Sequence, residues 1–147
     1  MTDTDKVYYS TTATNTGGRD GESHLRDHSF EIKVSTPKEM GGPGQGSNPE
    51  QLFALGYSAC FHGALELFKE KEKIKNPSQV TNTVQLLKDS SDNGFRLEVT
   101  IEVAIKGIDE QEVQELANKA HAFCPYSKAV KGNIPVTLRI VPYEEGK

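Results

Sequence analysis

Cysteine is scarce in this sequence, with two residues in 147, which excludes a small exported domain stapled by several disulfides. Basic residues do not outnumber acidic ones: 17 Lys+Arg stand against 21 Asp+Glu for a net charge of −4, and the cations are scattered rather than gathered into a stripe. Nucleic acid is therefore not an expected partner. No uninterrupted apolar run approaches the roughly 20 residues of a membrane-spanning helix, so no membrane attachment is expected. The stretch Met1 to Ser10 lacks the apolar core of a signal peptide. A soluble, cytoplasmic protein is the expectation. No internal repeat is visible, and the length predicts one domain, 1–147, large enough to bury a core without metals or disulfides.

What is present changes period along the chain. The Tyr- and Thr-rich segment Val7 to Thr14 and the alternation Phe30, Ile32, Val34 predict two strands. Between them Gly17-Gly18-Arg19-Asp20-Gly21 is a turn whose glycines permit positive backbone angles. Gly41 to Ser47 reads as a flexible loop. Asn48-Pro49-Glu50 then supplies a cap, a proline at the first helical position and an early acid, so a helix starts there.

That helix is apolar nearly all round, from Leu52, Phe53 and Leu55 to Leu65, Leu67 and Phe68, and is predicted to be a buried central helix. Its charged end, Lys69 to Lys75, reads as a solvated tail. Phe95, Leu97, Val99, Ile101, Val103 and Ile105 alternate with mostly polar residues and predict a long strand with one buried face. Val80 to Leu87 is its expected antiparallel partner across the turn-prone Asp89 to Gly94. Val113, Leu116, Ala117, Ala120 and Phe123 mark a second helix, and Val136, Leu138 and Ile140 a last strand. Strands at both ends with helices between them indicate α+β, built on an antiparallel sheet, rather than a doubly wound fold.

The two cysteines carry the chemistry. Cys60 lies in Ser58-Ala59-Cys60-Phe61-His62 and Cys124 in Phe123-Cys124-Pro125-Tyr126; they are either a redox pair or two inert buried thiols. At a reference pKa near 8.5 only about 3% of a thiol is the nucleophilic thiolate at pH 7. Cys60 falls about ten residues into its helix, beyond useful reach of the helix dipole, and burial would move its pKa the wrong way. A cation must supply the stabilisation. Arg19 in its glycine turn is a candidate, since a guanidinium stays charged when partly desolvated; an ordinary solvated turn arginine is the competing reading.

Four separated blocks give these residues a common meaning. Asn48-Pro49-Glu50-Gln51-Leu52-Phe53-Ala54-Leu55-Gly56-Tyr57-Ser58-Ala59-Cys60-Phe61 closely resembles the first cysteine motif of the organic hydroperoxide resistance (Ohr) branch of the OsmC/Ohr family. Cys124-Pro125-Tyr126-Ser127 with Lys131-Gly132-Asn133-Ile134 resembles the second. Gly17 to Gly21 resembles the arginine turn, and Ser35 to Gly42 the loop before the helix. The Cys-Pro-Tyr-Ser block favours the Ohr branch over the stress-induced one. The resemblance implies an OsmC/Ohr-like α+β fold, an intertwined homodimer with two interfacial sites, and a thiol-dependent peroxidase for organic, lipid-like hydroperoxides. It implies Cys60 as the peroxidatic nucleophile, Cys124 as the resolving thiol, Arg19 as the group that stabilises the thiolate and polarises the peroxide, and Glu50 as the carboxylate that orients Arg19. A lipoylated protein, through its dihydrolipoyl group, is the implied reductant. No cofactor or metal is implied. One block departs from the family pattern: Glu22 to His28, placed between strands by the same reading.

Other readings remain beside this one. The same cysteines would serve a peroxide sensor that is oxidised once without turnover. His62 near Cys60 and His121 three residues before Cys124 suggest mixed zinc ligands, but they supply too few donors at too poor a spacing. Phe53, Phe61, Phe123 and Tyr126 are candidates for a substrate pocket or simply core. Finally, ten helical positions separate Glu50 from Cys60 by about 15 Å, so the Arg19–Glu50 pair is expected to reach Cys60 across a dimer interface.

Overall fold

The computed structural model describes residues 5–147; Met1 to Thr4, part of the stretch read for a signal peptide, lie outside the described residues. The chain divides into two compact units, one ending at Pro49 and one running from Glu50 to Lys147.

The first unit is a three-stranded antiparallel sheet of β1 (Ala13–Thr16), β2 (Gly21–Leu25) and β3 (Glu31–Val34), in that spatial order. The strand expected over Val7 to Thr14 begins only at Ala13, because Ala13 pairs with Leu25, the last residue of β2, and earlier residues have no ladder partner on it. Val7, Tyr8 and Tyr9 are exposed. The segment Glu22 to His28, read as a spacer between strands, instead supplies most of the central strand. It lacks apolar alternation, and its pairing with a neighbour on each side overrides that weak local signal. The loop after β3 is tied across its base: Ser35 N–H donates to Ser47 O at 2.8 Å and Gly44 N–H to Thr36 O at 2.9 Å.

α1 (Pro49–Lys71) begins at the proline as expected, the last residue of the first unit, and runs unbroken for 23 residues into the second. Burial on it follows a stripe, Tyr57, Phe61, Ala64 and Leu65, while Leu55 stays 65% exposed. The helix is therefore buried along one stripe and not all round as its apolar composition predicts. Lys69 departs from the solvated tail assigned to it. It is 3% exposed, and its Nζ donates to Glu66 Oε1 at 2.8 Å and Ser78 Oγ at 3.0 Å. With its side chain almost wholly out of solvent, these two bonds supply the partners that the ammonium loses from water.

β4 (Ser78–Asp89) and β5 (Gly94–Ile105) form the expected hairpin, paired from Ser78 opposite Ile105 to Asp89 opposite Gly94. Then come α2 (Glu110–Phe123), a short α3 (Pro125–Val130) that the periodicity did not reveal, and β6 (Val136–Ile140). β6 joins β5 in parallel, so the antiparallel expectation holds for β1–β2–β3 and β4–β5 but not for the last strand. The connection through α2 and α3 is long enough for the crossover that parallel pairing requires, which a hairpin turn would not allow. The core of this unit joins Tyr57, Phe61 and Leu65 of α1, Val99, Ile101 and Val103 of β5, and Val113, Leu116, Ala117 and Ala120 of α2; Cys124 lies within it. No helix among the described residues is long and apolar enough to cross a membrane.

Candidate active site

Cys60 sits midway along α1, one residue before the fully buried Phe61, and is itself half-buried. Cys124 occupies the junction between α2 and α3. Its N–H closes the last turn of α2 on Ala120 O at 2.8 Å, and Pro125 starts α3 at once, so the chain turns sharply at this thiol. Cys124 is 0% exposed. The fold brings residues 64 positions apart together: the Cys124 thiol donates to Cys60 Sγ across 3.2 Å. Both thiols are free. A sulfur–sulfur bond needs about 2.05 Å, so closing the gap is a small movement for two side chains.

Around this pair the aromatic residues divide. Phe53, Tyr57 and Tyr126 form a cluster with ring centroids 5.6 to 6.1 Å apart. Gly56 makes that packing possible, since a Cβ there would lie 2.9 Å from the Tyr126 hydroxyl. Phe61 is core, and Phe123 is 48% exposed, packed edge-on against Phe68. Near the thiols a polar chain, with Tyr57 and Ser127 buried and His121 half-buried, links three helices. The Tyr57 hydroxyl is 2.6 Å from Ser127 Oγ, which is 2.8 Å from His121 Nδ1. Sequence reasoning missed this chain, although a serine and a histidine flanking Cys124 were visible; only folding shows that both meet Tyr57.

Electrostatics within this unit work against ionisation of Cys60. Burial pushes its thiol up, the backbone N–H of Tyr126 works in the opposite direction, and the neighbouring Cys124 adds to the rise. Burial likewise raises Tyr57, opposed by the Ser127 hydrogen bond. His121 is held below its ordinary value, first by burial and then by repulsion from Lys131. Among the described residues no group of three or more His, Cys, Asp or Glu is arranged to hold a metal ion. His62 is engaged elsewhere, 2.7 Å from Ser78 Oγ and 3.2 Å from Glu66 Oε1.

The other two residues singled out from sequence stand on other parts of the fold's elements. Arg19 is exposed at the centre of a 3-10 turn, Gly18–Asp20, between β1 and β2 of the first unit. Glu50 stands in the first turn of α1 and is half-buried. The unbroken helix keeps Glu50 about 15 Å from Cys60 along its axis.

The pattern of the OsmC-like protein family matches residues 42–139, about two thirds of the chain. This chain belongs to the OsmC/Ohr family. An organic hydroperoxide resistance protein-like 2 of Staphylococcus epidermidis is 48% identical over 134 residues, covering 90% of this chain and 94% of that one. The organic hydroperoxide resistance protein of Xanthomonas axonopodis pv. citri is 44% identical over 141 residues, covering 95% and 99%. The crystal structure of the organic hydroperoxide resistance protein OhrB of Bacillus subtilis superposes with a TM-score of 0.84 at 42% identity, covering 92% of this chain and all of that one. The α+β architecture is thus the OsmC/Ohr fold, and both cysteines of this family member fall inside the matched segment.

Proposed function

We propose that this OsmC/Ohr protein is a thiol peroxidase that reduces organic hydroperoxides to alcohols. The observation that carries the reading is the pair of free thiols 3.2 Å apart, one half-exposed and one fully buried. The names of these relatives, which concern organic hydroperoxide resistance, support the substrate class. In the reaction the Cys60 thiolate attacks a peroxide oxygen, an S–O bond forms, the O–O bond breaks, and the alkoxide leaves as the alcohol after taking a proton. Cys60 is then a sulfenic acid. The Cys124 sulfur attacks it, water leaves, and a Cys60–Cys124 disulfide protects the first sulfur from over-oxidation. A dihydrolipoyl group on another protein supplies the two electrons that restore the thiols.

Arg19 has a definite task in this scheme. Burial raises the Cys60 thiol, and a guanidinium supplies the charge that reverses that trend and polarises the peroxide. Glu50 orients it. The length of the unbroken helix between Glu50 and Cys60 and the uncovered Leu55 face of α1 support a homodimer in which the Arg19–Glu50 pair serves the partner subunit's thiol. Phe53 and Tyr126, the two rings of the cluster that are not fully buried, offer an apolar wall for a lipid-like tail, in a cytoplasmic protein.

Turnover decides between an enzyme and a sensor. With excess cumene hydroperoxide and dihydrolipoamide the protein is expected to consume many equivalents of peroxide; oxidation that stops at one equivalent refutes the peroxidase. A purified mixed dimer of Arg19→Ala and Cys60→Ser subunits tests the shared site. It is expected to retain one competent site, and activity no higher than that of the two mutant homodimers refutes sharing.

A further inference from the structure

The turn that carries Arg19 is held from two sides by side-chain hydrogen bonds. Its backbone is unusual: Gly17 and Gly18 have φ of 85° and 63°, in the left-handed region that favours glycine. Where the turn closes, a Cβ on Gly21 would lie 1.8 Å from Thr16 O. Glycine therefore permits the shape, but glycine alone does not hold it, because its freedom makes the turn costly to order.

Two clamps supply the order. On the β1 side, Asn15 Oδ1 accepts the Gly18 N–H at 2.9 Å, and Asn15 Nδ2 donates to Gly18 O, Glu22 O and Ser23 Oγ, each at 3.1 Å. One amide thus ties the start of the turn to the strand that leaves it. On the other side, Asp20 Oδ1 accepts the Thr36 N–H at 3.0 Å and Oδ2 accepts the Thr36 hydroxyl at 2.8 Å. Thr36 lies just past β3, so this bond pair fastens the far end of the turn to the sheet's other edge. Arg19 stands between the anchored residues 18 and 20.

We infer that Asn15 and Asp20 are positioning residues for the peroxidase reaction, acting through Arg19 by fixing the backbone from which its guanidinium projects. The inference rests on the reading of Arg19 given above. Side-chain entropy is the physical reason for the device. An arginine loses rotamer freedom when its head is fixed, and a mobile backbone beneath it would add to that loss. Misplacing a catalytic group by about 1 Å costs on the order of 100-fold in rate. The bonds from Thr36 hold the Asp20 carboxyl below the usual range, so the clamp is intact at neutral pH.

The test measures the pH dependence of Cys60 alkylation by iodoacetamide in Cys124→Ser protein, which reports the thiolate without requiring turnover. Arg19→Ala is expected to move the midpoint upward. Asp20→Ala and Asn15→Ala should move it in the same direction, and neither should move it further once Arg19 is alanine, because residues that act through one group are not additive. Thr36→Val, which removes the hydroxyl bond and keeps the N–H bond, should give a smaller shift and guards against misreading an unfolded variant. Asp20→Asn, which keeps an acceptor for the Thr36 N–H, should rescue part of the shift. If Asp20→Asn and Asp20→Ala instead lower the midpoint equally, Asp20 acts only as a nearby negative charge and the inference fails. It also fails if both clamp variants leave the midpoint unchanged while Arg19→Ala raises it. A midpoint indifferent to Arg19→Ala refutes the role of Arg19 itself, and the clamps fall with it.

Discussion

Oxidation should make this protein markedly harder to unfold, and the size of the effect follows from the fold. The two sulfurs belong to residues 64 positions apart, so a bond between them closes a loop of that length in the unfolded chain. The chain-entropy relation for such a loop gives about 4 kcal/mol at 25 °C. At roughly 2–4 °C per kcal/mol for a chain of this size, the melting temperature should rise by roughly 8–16 °C. Little of this should be lost to native strain, because the thiols already lie 3.2 Å apart in the folded state. The assay is calorimetry of the fully reduced protein and of protein treated with one equivalent of cumene hydroperoxide. Peptide mapping without reductant confirms the pairing, and Cys124→Ser treated in the same way is the control. If the oxidised protein carries an intrachain Cys60–Cys124 bond and yet melts no higher than the reduced form, the reasoning from loop length is wrong. If the oxidised cysteines are joined only between chains, the resolving role of Cys124 is wrong as well.

Cys60→Ser should abolish peroxide consumption, whereas Cys124→Ser should react once and then proceed to sulfinic acid as peroxide is raised from one to ten equivalents, both read by mass spectrometry. His121, whose folded pKa is depressed by burial, contributes stability that is present above its unfolded value near 6.5 and is lost as pH falls through the folded value. Denaturant titrations should therefore show wild type losing more of its advantage over His121→Asn as the pH drops below about 6.5; a constant difference would contradict the linkage. Ser127→Ala leaves the Tyr57 hydroxyl and His121 Nδ1 facing each other across an unfilled gap and should cost about 1–3 kcal/mol of unfolding free energy. Leu65→Ala, at a fully buried position on α1, should cost about 2–5 kcal/mol in the same measurement.

Local pattern and tertiary context divided the work unevenly along the chain. Where apolar spacing was strong the elements could be read directly: the start of α1 at Pro49, the β4–β5 hairpin and α2 all lie where period and capping residues put them. These signals are local, since a proline at the first turn or a strict alternation constrains its own neighbours whatever the rest of the chain does. The cysteine motifs were legible for the same reason, being contiguous runs of residues, and they carry the family resemblance without any geometry. β2 was not legible, because Gly21 to Leu25 carries no alternation and becomes a strand only with β1 and β3 on either side. The parallel direction of β6 was decided by the α2–α3 crossover, and the burial of Lys69 by the arrival of Ser78 beside it. The same holds for the candidate site. Sequence named Cys60 and Cys124 but could not set the distance between them, because the packing of α1 against the junction of α2 and α3 joins residues far apart in the chain. Nor could it reveal the Tyr57–Ser127–His121 chain or the clamps on the Arg19 turn, whose hydrogen bonds depend on strand register and helix packing that no single segment encodes.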